Sequence, residues 1–117
     1  MKHLLPLAVM ALIAAVAAPA KAPHLSPKAQ RGFTFAQAHC AVCHAVGRDA
    51  QQSPEPGAPP FELIANKRGV TRTTLTVFLR DAHNYPEAMQ FKLDRRAIDG
   101  LVSYMLTLRR PGYHPPI

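Results

Sequence analysis

Tryptophan is absent from the 117 residues, aromatic side chains make up only 7%, and there are just two cysteines. A chain this short allows one domain, and a Pro-rich chain with so few large rings is poorly equipped to bury a large core of its own. That argues against a self-sufficient enzyme of any size. It suggests instead that something other than side chains fills the middle. Acidic residues are scarce as well: 7 Asp+Glu stand against 14 Lys+Arg, a formal net charge of +7. No hydrophobic run after residue 20 approaches the length of a membrane span.

What hydrophobicity there is concentrates at the start. Met1-Lys2-His3 is a short basic opening, Leu7 to Ala18 is an unbroken apolar run of 12, and Ala18-Pro19-Ala20 has the small-residue A-x-A form. Twelve is below the roughly 18 apolar residues that a transmembrane helix needs, and Pro6 and Pro19 bracket the run. Residues 1–20 are therefore expected to be a cleaved secretory signal, with an uncleaved N-terminal membrane anchor as the alternative. Residues 21–117 are expected to form one exported, periplasmic domain.

The pattern of that domain is helical throughout. Ser26-Pro27 supplies an N-cap and a first-turn proline, and Phe33, Ala36 and Cys40 share one face of the helix that follows. Residues 48–60, RDAQQSPEPGAPP, read as a loop. A short helix is expected around Phe61 to Ala65 and a longer one over Thr71 to Asp81, with Leu75, Phe78, Leu79 and Ala82 as its apolar stripe. His83 to Lys92 is irregular. Asp94 caps the last helix, expected to run to about Arg109 with Ala97, Ile98, Leu101, Val102, Met105 and Leu108 facing inward. Arg109 and Arg110 would then suit the negative end of its dipole. No period-2 alternation lasts long enough for a strand. The expected class is all-α, three main helices joined by Pro-rich loops.

Two thiols in an exported chain invite a disulfide, but their setting points elsewhere. Cys40-Ala41-Val42-Cys43-His44 is C-x-x-C-H, the covalent haem attachment pattern. Two cysteines three apart on a helical turn can each add across a vinyl group on one edge of a porphyrin, and the next residue then reaches the iron. A thioredoxin-like C-x-x-C would want a preceding strand, and a zinc site would want two further ligands at metal spacing. Neither is present in the sequence pattern.

With that motif in view, the chain resembles a small class I cytochrome c, the mitochondrial or bacterial monohaem type, from Gly32 to Leu108. Gly32 matches the small residue that lets the family's first helix cross close to its last. Leu101-Val102-Ser103-Tyr104-Met105 resembles the terminal-helix L-x-x-Y pattern. Ala58-Pro59-Pro60-Phe61 resembles G-P-x-L with Ala in place of Gly, which implies that a proline carbonyl, Pro59 by the analogy and Pro60 as the alternative, accepts from His44 Nδ1. The family's aromatic four residues before the first cysteine is Ala36 here, and Phe33 or Phe35 is expected to pack in its place. The resemblance implies one haem c, attached through Cys40 and Cys43, wrapped by a cytochrome c fold with His44 as the proximal iron ligand.

The distal ligand implied is Met89, in the loop before the last helix. Met89-Gln90-Phe91-Lys92-Leu93 resembles M-P-x-x-x-L with Gln for Pro. His83 is the rival, an open iron the third possibility, and Met105 reads as core. His24, His39 and His114 are expected at the surface. Asn66, Lys67, Arg68 and Tyr85 are left between propionate contacts and ordinary surface.

With both axial positions filled, the implied work is carriage of single electrons and not enzymatic turnover. A subunit of a dehydrogenase complex and an open-iron protein for ligand or peroxide chemistry remain the alternatives. Loss of residues 1–20 takes away only Lys2, so the net charge falls from +7 to +6. A cation of that strength suits redox proteins with acidic docking surfaces or an anionic membrane surface, with Lys67, Arg68, Arg72, Lys92, Arg95 and Arg96 expected near the haem edge. Nucleic acid is a poor candidate, since no binding motif is present.

Overall fold

Ser26 begins the first helix as the sequence predicts. Its backbone is extended, its Oγ accepts from Ala29 N at 3.2 Å, and Pro27 fills the first helical position. The computed structural model describes residues 24–50, 52–81 and 92–114. These form α1 (Pro27–His39), α2 (Phe61–Asn66), α3 (Arg72–Asp81) and α4 (Arg95–Thr107). No strand occurs among the described residues.

The caps show why each helix stops and starts where it does. Thr71 and Thr74 cap α3 reciprocally: Thr74 N donates to Thr71 Oγ1 at 3.1 Å and Thr71 N to Thr74 Oγ1 at 2.8 Å. Gly69 turns the chain between α2 and α3 at φ 82°, a left-handed backbone that costs glycine little. Asp94 Oδ1 accepts from Ala97 N at 2.7 Å and opens α4. That helix ends two residues before the expected Arg109, because its last carbonyls find side-chain partners. Thr107 Oγ1 donates to Tyr104 O at 2.6 Å, Asn66 Nδ2 reaches Leu108 O at 3.2 Å, and Arg48 bonds the Thr107 carbonyl.

Packing centres on α4. Leu101, Val102 and Met105 are fully buried, and α1, α2 and α3 all lie against this helix. Lys28 on α1 pairs with Asp99 on α4 at 2.9 Å. The hydrogen bond from Lys28 holds the Asp99 carboxyl below the usual carboxylate range. The stability linked to that shift is therefore complete above the ordinary aspartate range and is lost as pH falls through the lowered folded value.

The closest approach is where α1 crosses α4. A Cβ at Gly32 would sit 1.9 Å from Gly100 O and 2.8 Å from Leu101 N. Beside that contact the Phe33 ring lies 4.9 Å from the Tyr104 ring, so Phe33 supplies the aromatic that Ala36 does not. Phe35 instead stacks on His39 at 4.4 Å. On α3 Leu75 and Leu79 are buried as expected, whereas Phe78 is 48% exposed. Ala82 lies outside the described residues.

The two crossing glycines should respond differently to substitution. Gly32→Ala drives a methyl into backbone that cannot yield, and should lower stability by at least about 2 kcal/mol even after a helix-propensity gain of about 1 kcal/mol. At Gly100 the added Cβ would be 3.2 Å from Gly32 Cα. A shift of a few tenths of an ångström relieves it, so Gly100→Ala should stay within about 1 kcal/mol of wild type. Denaturant unfolding of both variants measures the difference.

Candidate functional site

The end of α1 continues directly into the C-x-x-C-H turn. Cys40 N donates to Ala36 O at 2.8 Å, and the Cys43 and His44 amides both turn back to Cys40 O, at 3.1 and 2.8 Å. This extra turn puts Cys40, Cys43 and His44 on consecutive corners of one bend. Cys40 is buried, Cys43 half-buried, and the two remain separate thiols. Burial, and after it the neighbouring Cys43, pushes the Cys40 thiol up to about 11, so it is a neutral thiol at pH 7. Val42, between them, is 78% exposed. The bend therefore lies at the surface with its outer edge open.

His44 is 8% exposed and its ring is fixed from one side. Its Nδ1 lies 2.8 Å from Pro59 O. A carbonyl can only accept, so Nδ1 carries the proton and the lone pair is on Nε2, the form a metal needs. Of the two adjacent prolines, Pro59 is the partner. The Phe61 ring stands 5.4 Å from the imidazole.

The Pro-rich loop that carries Pro59 is tied to the bend at several points. Ala45 N donates to Ser53 Oγ at 2.9 Å, Phe61 N to Ala45 O at 2.9 Å, and Glu55 N to Cys43 O at 3.1 Å. Tyr104 Oη donates to Val46 O at 2.6 Å and pins the chain just past His44 onto α4. Burial raises the Tyr104 hydroxyl above its ordinary range, so it keeps the proton it donates.

Beside this bend lies a cavity of about 650 Å³, and Pro59 lines it while holding His44. Leu63, Ile64, Val70, Leu75 and Phe78 give it apolar walls, and Lys67, Arg68 and Tyr113 stand among its lining. Phe78 is exposed because it faces this space. A flat apolar macrocycle with two ionised carboxylates fits such walls and such cations, and two thiols beside an imidazole lone pair fit its attachment. A zinc centre fits less well. Among the described residues no group of three or more His, Cys, Asp or Glu side chains is placed to hold a metal ion.

The structure brings together some of the residues singled out from sequence and separates others. Cys40, Cys43 and His44 converge; Met89 and its rival His83 lie outside the described residues, as does Tyr85. Met105 is core, 1% exposed. His24, His39 and His114 are exposed. Of the six cations expected near the haem edge, Lys67 and Arg68 border the cavity. Arg72 is drawn to Asp99 at 3.6 Å and to Ser103 at 3.3 Å, and Arg96 lines the groove between α1 and α4.

Sequence reasoning missed Glu62 and misread Arg110. Glu62 is 3% exposed, with Arg110 Nε 3.0 Å from its Oε1. The only signal for Glu62 was one acidic residue inside the short apolar segment FELIAN.

The family model for cytochrome c matches residues 29–109. No curated protein and no solved structure matches the chain. The match takes in the bend, α1 from Ala29 onward, α2 to α4 and every cavity-lining residue except Tyr113, and Cys40, Cys43 and His44 fit the C-x-x-C-H pattern within it. The chain belongs to the cytochrome c family, all-α proteins that bind covalently attached haem c and act as electron carriers, generally without enzymatic activity.

Proposed function

We propose that this chain is an exported monohaem electron carrier, with Cys40 and Cys43 as the haem thioethers, His44 as proximal ligand and Met89 as distal ligand. The observation that carries the reading is the bond from His44 Nδ1 to Pro59 O at 2.8 Å. It holds the imidazole in the tautomer and orientation that iron ligation needs, and raises the basicity of Nε2. Bound haem supplies one-electron Fe(III)/Fe(II) chemistry. Cys40 and Cys43 fix its edge to the surface bend, where Val42 is exposed and a partner can approach. Leu75 and Phe78 would offer the haem apolar walls in the cavity that Pro59 borders. Support for Met89 comes from its place in the loop before α4 and its likeness to the family's M-P-x-x-x-L; a thioether there raises the potential relative to two histidines.

Export is supported by the apolar run from Leu7 to Ala18 and the A-x-A that follows it. The intact mass of the purified protein should equal the chain from near Lys21 plus one haem, and acid-acetone should not extract that haem. A mass equal to the bare 117-residue chain overturns both export processing and attachment.

Met89→Ala should open the iron to carbon monoxide in the reduced protein and abolish the weak red thioether band. Met105→Ala should leave both unchanged while lowering stability by about 2–5 kcal/mol, as truncation of a buried core residue does. A thioether band that survives loss of Met89 would overturn that assignment in favour of another methionine, and a wild-type protein without the band would move it to His83 or to an open iron.

The partner proposed is a redox protein with an acidic docking face, on the strength of the net charge of +6 that remains once residues 1–20 are removed. Its electron-transfer rate should fall steeply between about 10 and 200 mM salt, as the Debye length shrinks severalfold. Reversing the exposed Arg95 and Arg96 to Glu should slow association by about tenfold at low salt with little change in midpoint potential. A rate indifferent to both would make the basic charge a solvated coat.

A further inference from the structure

Past α4 the chain turns back across α2 instead of leaving the fold. Arg110 N donates to Asn66 Oδ1 at 3.0 Å, and Asn66 Nδ2 donates to Glu62 O at 2.8 Å and Leu108 O at 3.2 Å. Arg109 Nε adds a bond to Ala65 O at 3.0 Å. These bonds place the Arg110 guanidinium between two carboxylates. Its Nε lies 3.0 Å from Glu62 Oε1 and its Nη1 2.8 Å from Asp49 Oδ1. The Tyr113 ring is 5.4 Å from its central carbon. Arg110 stands just past residues 29–109, the segment that matches the family model.

The two carboxylates mark the two ends of the loop that presents Pro59. Asp49, at its start, holds a left-handed backbone with φ 60°, which a non-glycine residue keeps only when its neighbours enforce it. Its N–H donates to Glu62 Oε2 at 3.0 Å. Glu62 lies in the first turn of α2, three positions after Pro59, and is 3% exposed. A carboxylate at that depth requires a countercharge. One Glu62 oxygen thus holds the Asp49 backbone while the other faces Arg110, and Arg110 also grips the Asp49 side chain.

We infer that Arg110 is a positioning residue for His44: it neutralises Glu62 and grips Asp49, clamping both ends of the 49–62 loop so that the Pro59 carbonyl stays on His44 Nδ1. This rests on the reading of His44 as an iron ligand. Without the guanidinium, Glu62 is left buried without that charge, and the first turn of α2 must shift toward water to solvate it. Pro59 then moves with that turn, and the bond to His44 loosens. The α1–α4 crossing, to which none of these bonds runs, stays closed.

Hydrogen exchange in the reduced haem-bound protein tests this. The His44 Nδ1 proton and the Leu101 and Val102 amides of α4 are followed in wild type, Arg110→Met and Arg110→Lys. Arg110→Met should speed exchange of the Nδ1 proton by about tenfold and that of the α4 amides by less than about threefold. Arg110→Lys keeps the charge but loses the fork that reaches both carboxylates, and should recover part of the protection. The midpoint potential should shift in the Met variant and return partway in the Lys variant. Equal acceleration of the Nδ1 proton and the α4 amides, or no change in the Nδ1 rate, overturns the clamp. If Arg110→Met yields no haem-bound protein, Asp49→Asn removes one arm of the clamp and is judged by the same comparison. Ring-current-shifted His44 resonances in wild type report ligation separately, so their absence overturns the axial assignment and not the clamp.

Discussion

The backbone contact between Gly32 and Gly100 is the constraint on which the rest of the molecule depends. With a Cβ at Gly32 only 1.9 Å from Gly100 O, α1 and α4 cross nearly backbone to backbone. Such an approach leaves no room for side chains at the crossing, so the apolar ones are displaced to either side of it. Phe33 stacks on Tyr104 on α4, and Leu101, Val102 and Met105 form the buried row. The end of α1 is thereby aimed at a fixed point relative to α4, and the C-x-x-C-H bend starts at that end.

Beyond this crossing lies an apolar cavity of about 650 Å³ lined by Pro59, α2, the turn after it and α3. A chain with 7% aromatics and no tryptophan does not fill that space itself. Haem c, which the family binds covalently, supplies the missing apolar body. The short α2 helix is explained by the same economy. Its six residues contribute Phe61 and Ala65 to the core, while Leu63 and Ile64 face the cavity.

Charge is organised less simply than a count of basic residues implies. Lys28 and Arg72 are engaged with Asp99, and Arg110 with Asp49 and Glu62. These cations join elements of the fold. Lys67 and Arg68, at the turn after α2, border the cavity. Exposed pairs such as Lys28–Asp99 contribute little each. The buried Glu62 is different, because its desolvation makes the geometry around it matter.

While the role of Gly32 was implied by the family resemblance, the sequence by itself determined the helical class, the caps at Ser26 and Asp94 and the C-x-x-C-H triplet at Cys40, Cys43 and His44. Each of these is local: a cap, a period of 3.6 or a spacing of three is written in neighbouring residues. The cofactor family was legible for the same reason, since the chemistry requires five consecutive residues. Only the tertiary structure decided that Pro59 and not Pro60 meets His44, that Gly100 is the other half of the crossing, and that Phe78 faces a cavity. It also turned Arg109 and Arg110 away from the helix end toward α2. Those outcomes join residues up to 61 positions apart, as in the Arg110–Asp49 bond. No periodicity encodes such a pairing, because it depends on which carbonyls and carboxylates the packed helices leave within reach.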